Sequence, residues 1–271
     1  MTRKSKRDFV KEILDKESPF FPPGPRWERT NSFLTHIHDL VDFVDKIDDL
    51  EQIFNAFFES ATEEDEEGLD LMYSIEELED VDFASLKSVL MRYIPIALVA
   101  ITEHYFKSVI SNLVDYDVRF RRNLSNISTP LSFDLIVNLE QSQISLSYFV
   151  AHILPTNSLE KINRSVSTIL GEDFLKLLKN KYPKAAKGYQ LSLFDLLLSE
   201  DELAQKIQEE LQNRLNTMLS VTQLIFELRN KYAHEPIFPK ANDERTIIQG
   251  ASAITEFLWA SEQVFRDILS T

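Results

Sequence analysis

The run FASLKSVLMRYIPIALVAITEHYFKSVISNLVDY, residues 83–116, constrains the fold more than any other stretch of the chain. Ile94, Leu98, Ile101, Tyr105, Val109 and Asn112 recur at steps of three and four and make one helical stripe. Val99, Phe106, Ile110 and Leu113 make a second. Two apolar faces predict a central helix covered on both sides. Pro95 is expected to begin or kink that helix. Glu103 falls within the second stripe, where a buried carboxylate needs a partner or a raised pKa. The alternative places it at the stripe's edge, in reach of water.

The remaining periodic segments agree with helices. Leu34, Ile37, Val41, Val44, Ile47 and Phe54 predict a helix after the proline-rich connector SPFFPPGPRW, with Asn31 or Ser32 as its cap. Residues 3–16 read as a short charged helix. RFRRNLSN, 119–126, reads as a basic turn, and residues 146–189 alternate short helices with turns, with Asn157 or Ser158 capping a helix from Leu159. A long helix is expected from Leu203 towards Arg229, with Ile207, Leu211, Leu215, Met218 and Ile225 inward. A last helix closes the chain over residues 246–269. No alternation of period two persists, and the chain has only 5 glycines. The fold class read from these patterns is all-α.

Charge separates the chain into parts. Of a net charge of −15, residues 62–83 contribute 11 acidic groups with no Lys or Arg. Residues 84–271 are nearly neutral. The expected organisation is an N-terminal helical extension at 1–61, an acidic linker or loop at 62–83, and a helical domain at 84–271. Eleven like charges repel one another, which favours a solubilising loop over a mimic of nucleic acid laid over a cleft. The chain has 0 cysteines, which removes disulfide frameworks and thiolate metal sites. The longest uncharged apolar stretch, YIPIALVAIT, is too short to span a bilayer. No signal-peptide pattern follows the basic MTRKSKRDFV. The expectation is a cytoplasmic protein without a membrane partner.

The chemistry concentrates in FELRNKYAHEP, residues 226–236. On a helix Asn230 and His234 share a face, and Arg229 lies about 100° round, in line with Ile225. Pro236 disfavours helical geometry at Glu235, so the helix should end near His234. A histidine there can give or take a proton, and an adjacent arginine can hold a phosphate by two parallel hydrogen bonds. Those two functions suffice for RNA cleavage by 2′-hydroxyl attack, with no metal or other cofactor. With 13 Arg, 13 Asn and 5 His in the chain, an R-N-x-x-x-H turn arises by chance in about one such sequence in a hundred.

RNKYAH fits the R-N-x-x-x-H signature of HEPN domains, an all-α superfamily rich in RNA-cleaving enzymes. LVAITEHYFKSVI resembles the early HEPN helix that carries a glutamate. Residues 144–174 are similar to the middle region of the RiboL-PSP-HEPN group. The likeness spans about residues 84–269. It implies a HEPN-like helical bundle that pairs as a homodimer, with two such turns facing one composite cleft. It implies metal-independent endoribonuclease activity on an RNA substrate, in a defence or stress setting. Arg229, Asn230 and His234 would be the catalytic set, with Glu103 and Lys231 in supporting roles. Toxin-type members often carry tyrosine two residues after the histidine, where this chain has Pro236. The other reading is a catalytically silent HEPN module for dimerisation and for binding RNA or a regulatory protein.

Two basic clusters are candidates for guiding RNA. One is Arg119, Arg121 and Arg122 with Phe120. The other includes Lys181 and Lys184, with Lys176, Lys179 and Lys187 around them and Tyr182 and Tyr189 interleaved, a mixture suited to backbone contacts and base stacking. The plainer account of each is a solvated surface. HIHD, residues 36–39, gives no metal site: His38 and Asp42 share a face but supply two ligands only.

Overall fold

The computed structural model describes residues 32–43, 83–127, 144–185, 200–235 and 239–270, with single positions at 46, 49, 52, 139 and 237. Every regular element among them is helical and no strand occurs among them, so the fold is all-α. A helical segment at 32–43 precedes α1 (Phe83–Tyr116), α2 (Val118–Asn123) and a 3₁₀ turn (Leu124–Asn126). Then come α3 (Leu146–Ile153), α4 (Leu159–Leu170), α5 (Phe174–Ala185), α6 (Glu200–His234) and α7 (Ala241–Ser270). The expected helix at 3–16 and the acidic stretch 62–82 lie outside the described residues.

The chain divides into two compact units, residues 1–33 with 103–180 and residues 34–102 with 181–271. In the first, Phe106, Ile110, Leu113, Ile162, Val166 and Phe174 are fully buried. Phe106 and Phe174 meet edge to face with centroids 5.7 Å apart. The short helices here depend on their caps. The Ser158 hydroxyl accepts from the Lys161 amide, 3.2 Å, which opens α4. Gly171 closes α4 at φ 78°, a left-handed conformation that glycine adopts without penalty. At the start of α5, Ser167 accepts from the Phe174 amide, Asn163 from Leu175 and Asp173 from Lys176. Three otherwise orphaned amides are thus satisfied by side chains.

RFRRNLSN is not a turn. It forms α2 and the 3₁₀ turn, because Asp117 caps the helix by accepting from the Arg119 amide at 2.7 Å. Pro95 lies inside α1 and does not begin it. The missing amide costs one helical hydrogen bond, and burial of Met91, Ile94, Leu98 and Val99 around it outweighs that loss. Both predicted stripes of α1 are inward, with Ile101 and Asn112 half-buried and the rest buried. By length and composition Ala84–Tyr116 is also apolar enough to cross a membrane, which the uncharged stretch 93–102 alone is not. Its N-terminal half exposes Leu86, Val89 and Tyr93 along one face.

In the second unit α6 and α7 form an antiparallel helical hairpin. Residue pairs Tyr232–Asp243, Ile225–Gly250 and Arg214–Glu256 lie progressively further from its loop. Leu211, Leu215, Met218, Ile225 and Phe226 of α6, and Ile247, Ile254, Phe257 and Leu258 of α7, are buried. A Cβ at Gly250 would run into the Ile225 side chain.

Candidate functional site

The R-N-x-x-x-H turn is the last turn of α6, which ends at His234 as Pro236 requires. Its residues alternate between core and solvent with the helical period. Ile225, Phe226 and Tyr232 are buried, Arg229 and Lys231 half-buried, and Asn230 and His234 exposed. Asn230 and His234, four residues apart, therefore present one solvent-facing edge with Arg229 beside it.

Two groups hold this turn in place. Arg92, on α1, donates from Nε and Nη2 to the Tyr232 carbonyl at 3.2 and 3.0 Å, and from Nη2 to the Glu235 carbonyl at 3.1 Å. These carbonyls lie at the end of α6 and have lost their helical donors, so a guanidinium satisfies them and offsets the negative end of the macrodipole. The accepted carbonyls flank His234 on both sides in sequence.

The second group is Asp243, in the first turn of α7. Its Oδ2 accepts from the Tyr232 hydroxyl at 2.8 Å, from Lys231 Nζ at 3.1 Å and from the Lys240 amide at 3.4 Å. The last of these is a carboxylate reaching back to the amide that precedes its own helix. Burial pushes the Asp243 carboxyl up, but the hydrogen bonds from Tyr232, Lys231 and Lys240 outweigh it and hold the group below the usual carboxylate range. Burial, with the adjacent Asp243 carboxylate, raises the Tyr232 hydroxyl well above the ordinary tyrosine range. The phenol is thus a fixed donor. Lys231 also lies 5.2 Å from the Tyr232 ring centroid. Its ammonium serves the hairpin through Asp243, while the edge carrying Asn230 and His234 remains open.

The chain matches no protein-family model, no curated protein and no solved structure.

Glu103 is half-buried on α1, within the unit that includes residues 103–180. In the arginine cluster, Arg119 pairs with Asp117 at 2.8 Å. Arg121 donates to the carbonyls of Val114 and Asp115, at 2.8 and 3.1 Å, and so caps the end of α1. Arg122 is exposed. Phe120 is buried in the core and offers no face for a base to stack on. Of the lysine cluster, Lys181 pairs with Asp267 at 3.1 Å. Tyr182, read from sequence as a stacking platform, is buried and donates its hydroxyl to Glu256. Lys184 belongs to α5, and Lys187 and Tyr189 lie outside the described residues.

Sequence reading missed Arg92, Tyr232 and Asp243. Asp243 had a local signal, an acidic residue at the third position of a helix. Arg92 had only its oddity, a lone cation just before Pro95 in an apolar run. Its partners lie 140 and 143 residues away.

Proposed function

We propose that the protein is a metal-independent endoribonuclease of the HEPN type, cleaving RNA by attack of a ribose 2′-hydroxyl on the adjacent phosphate. The observation that carries this reading is the exposed edge of Asn230 and His234 beside Arg229, on a helix end anchored by Arg92 and Asp243. Cleavage of this kind needs a base for the 2′-hydroxyl proton, an acid for the leaving 5′-oxygen and positive charge on the phosphorane. In a homodimer two copies of His234 divide the acid and base roles, Arg229 stabilises the phosphorane charge, and Asn230 orients phosphate or imidazole. The exposed apolar face of Leu86, Val89 and Tyr93 offers surface for the second copy.

The test is cleavage of a fluorescent RNA oligonucleotide in EDTA. Wild type is expected to cleave, leaving 2′,3′-cyclic phosphate ends. His234→Ala is expected to lose cleavage by about 10²-fold or more, with an unchanged circular dichroism spectrum because the side chain is exposed. Undiminished cleavage by His234→Ala, or strict dependence on a divalent ion, would refute the mechanism and leave a binding module.

A further inference from the structure

A groove of about 690 Å³ opens in the unit formed by residues 34–102 and 181–271, between the helical segment 32–43 and the α6–α7 hairpin. The proposed ribonuclease chemistry makes no use of it. Its size is that of a site for a small organic molecule. Leu34, Ile37, Val41 and Ala251 give it apolar walls, and Trp259 contributes an aromatic surface.

The polar lining decides what can enter. Glu256 is already served: its Oε1 lies 2.7 Å from Arg214 Nε and accepts from the Tyr182 hydroxyl. The Arg214 guanidinium is therefore matched by a carboxylate inside the groove. Asp42 is the second acid. Its Oδ2 lies 3.0 Å from His38 Nδ1, and its side chain is 46% exposed, so part of the carboxylate faces the opening. Among the described lining residues two carboxylates thus stand against one guanidinium and an imidazole, and the surplus negative charge sits on Asp42. An anionic ligand would find the one arginine among the described lining residues occupied and two carboxylates nearby. A cation finds the Asp42 carboxylate and the indole of Trp259 in the same lining, two groups that attract it. No cluster of three His, Cys, Asp or Glu side chains exists among the described residues to hold a bare metal ion. The apolar walls instead select a cation attached to a hydrocarbon body.

We infer that the groove between residues 32–43 and the α6–α7 hairpin binds a small organic cation, an amine with an aromatic or aliphatic body, through Asp42 and Trp259.

Isothermal titration of the full chain with three probes of matched body tests this: 4-phenylbutylamine, 4-phenylbutanol and 4-phenylbutyrate. The amine is expected to bind about fivefold or more tighter than the alcohol, with the carboxylate weakest. In Asp42→Asn the advantage of amine over alcohol should fall to about twofold or less, while the alcohol's own affinity stays the same. Asp42 is half-exposed, so this variant should fold, which circular dichroism checks. The order of the three probes on wild type decides the matter even if it does not. Failure of all three to bind, equal or tighter binding of the alcohol or carboxylate, or an undiminished amine preference in Asp42→Asn would overturn the inference. RNA cleavage plays no part in the readout.

Discussion

Replacing Arg92 with methionine removes the hydrogen bonds to the Tyr232 and Glu235 carbonyls but keeps much of the side chain's apolar stem. Bonds from a charged donor to the part-buried Tyr232 carbonyl and the exposed Glu235 carbonyl contribute about 1–2 kcal/mol together, after allowance for solvent access. The variant should unfold in urea at a correspondingly lower midpoint, and the Glu235 amide should exchange faster than in wild type. An unchanged midpoint with unchanged exchange would show that the guanidinium does not hold the turn. Asp243 adds a pH dependence. Its carboxyl is held below the usual range, so its contribution is present above about pH 4 and is lost as pH falls through the lowered value. Asp243→Asn should remove that part of the acid sensitivity and flatten the stability curve between about pH 5 and pH 2. These residues also mark the limit of sequence reading. The exposed edge at Asn230 and His234 follows from helical period alone, whereas the anchor follows from a contact across 140 positions, which leaves no periodic trace.

In the α6–α7 hairpin the Ile225 side chain occupies the space a methyl group at residue 250 would need. Gly250→Ala places a Cβ against Ile225, and overpacking of this kind costs about 1–3 kcal/mol. Shortening the opposing side chain should return part of the loss: Ile225→Val together with Gly250→Ala should be more stable than Gly250→Ala alone. Chemical denaturation of the two single variants and the double variant gives the coupling, and additive losses would rule out the close approach as the cause. Both stripes of α1, the Ser158 cap and the end of α6 at His234 were legible in the sequence, because each depends on neighbours within a turn or two. The helix at 118–123 was not, since basic residues in series resemble an exposed loop unless the Asp117 cap is weighed. Tyr182 was misplaced for a related reason. A tyrosine among lysines reads as surface, and its partner Glu256 lies 74 residues further along.

At the scale of the whole molecule the exposed face of α1 leads to a prediction about assembly. Val89 and Tyr93 are 52% and 55% exposed, so charged replacements there cost the single chain little. Val89→Glu combined with Tyr93→Glu should convert the proposed homodimer to monomer in sedimentation velocity, with the helical spectrum unchanged. A dimer that survives both substitutions would place the interface elsewhere. The two anchors of the R-N-x-x-x-H turn differ in another respect, the length of chain each must close. Tyr232 and Asp243 are separated by 11 residues, Arg92 and Tyr232 by 140. Closing the longer loop costs more chain entropy, and contacts between distant positions tend to form late. The hairpin is therefore expected to set its Tyr232–Asp243 link early, and Arg92 to arrive when α1 docks. In pulse-labelled hydrogen exchange during refolding, amides in the middle of α6 and α7 should gain protection before the Glu235 amide does. The proposed catalytic edge would then be among the last parts of the chain to reach its final order.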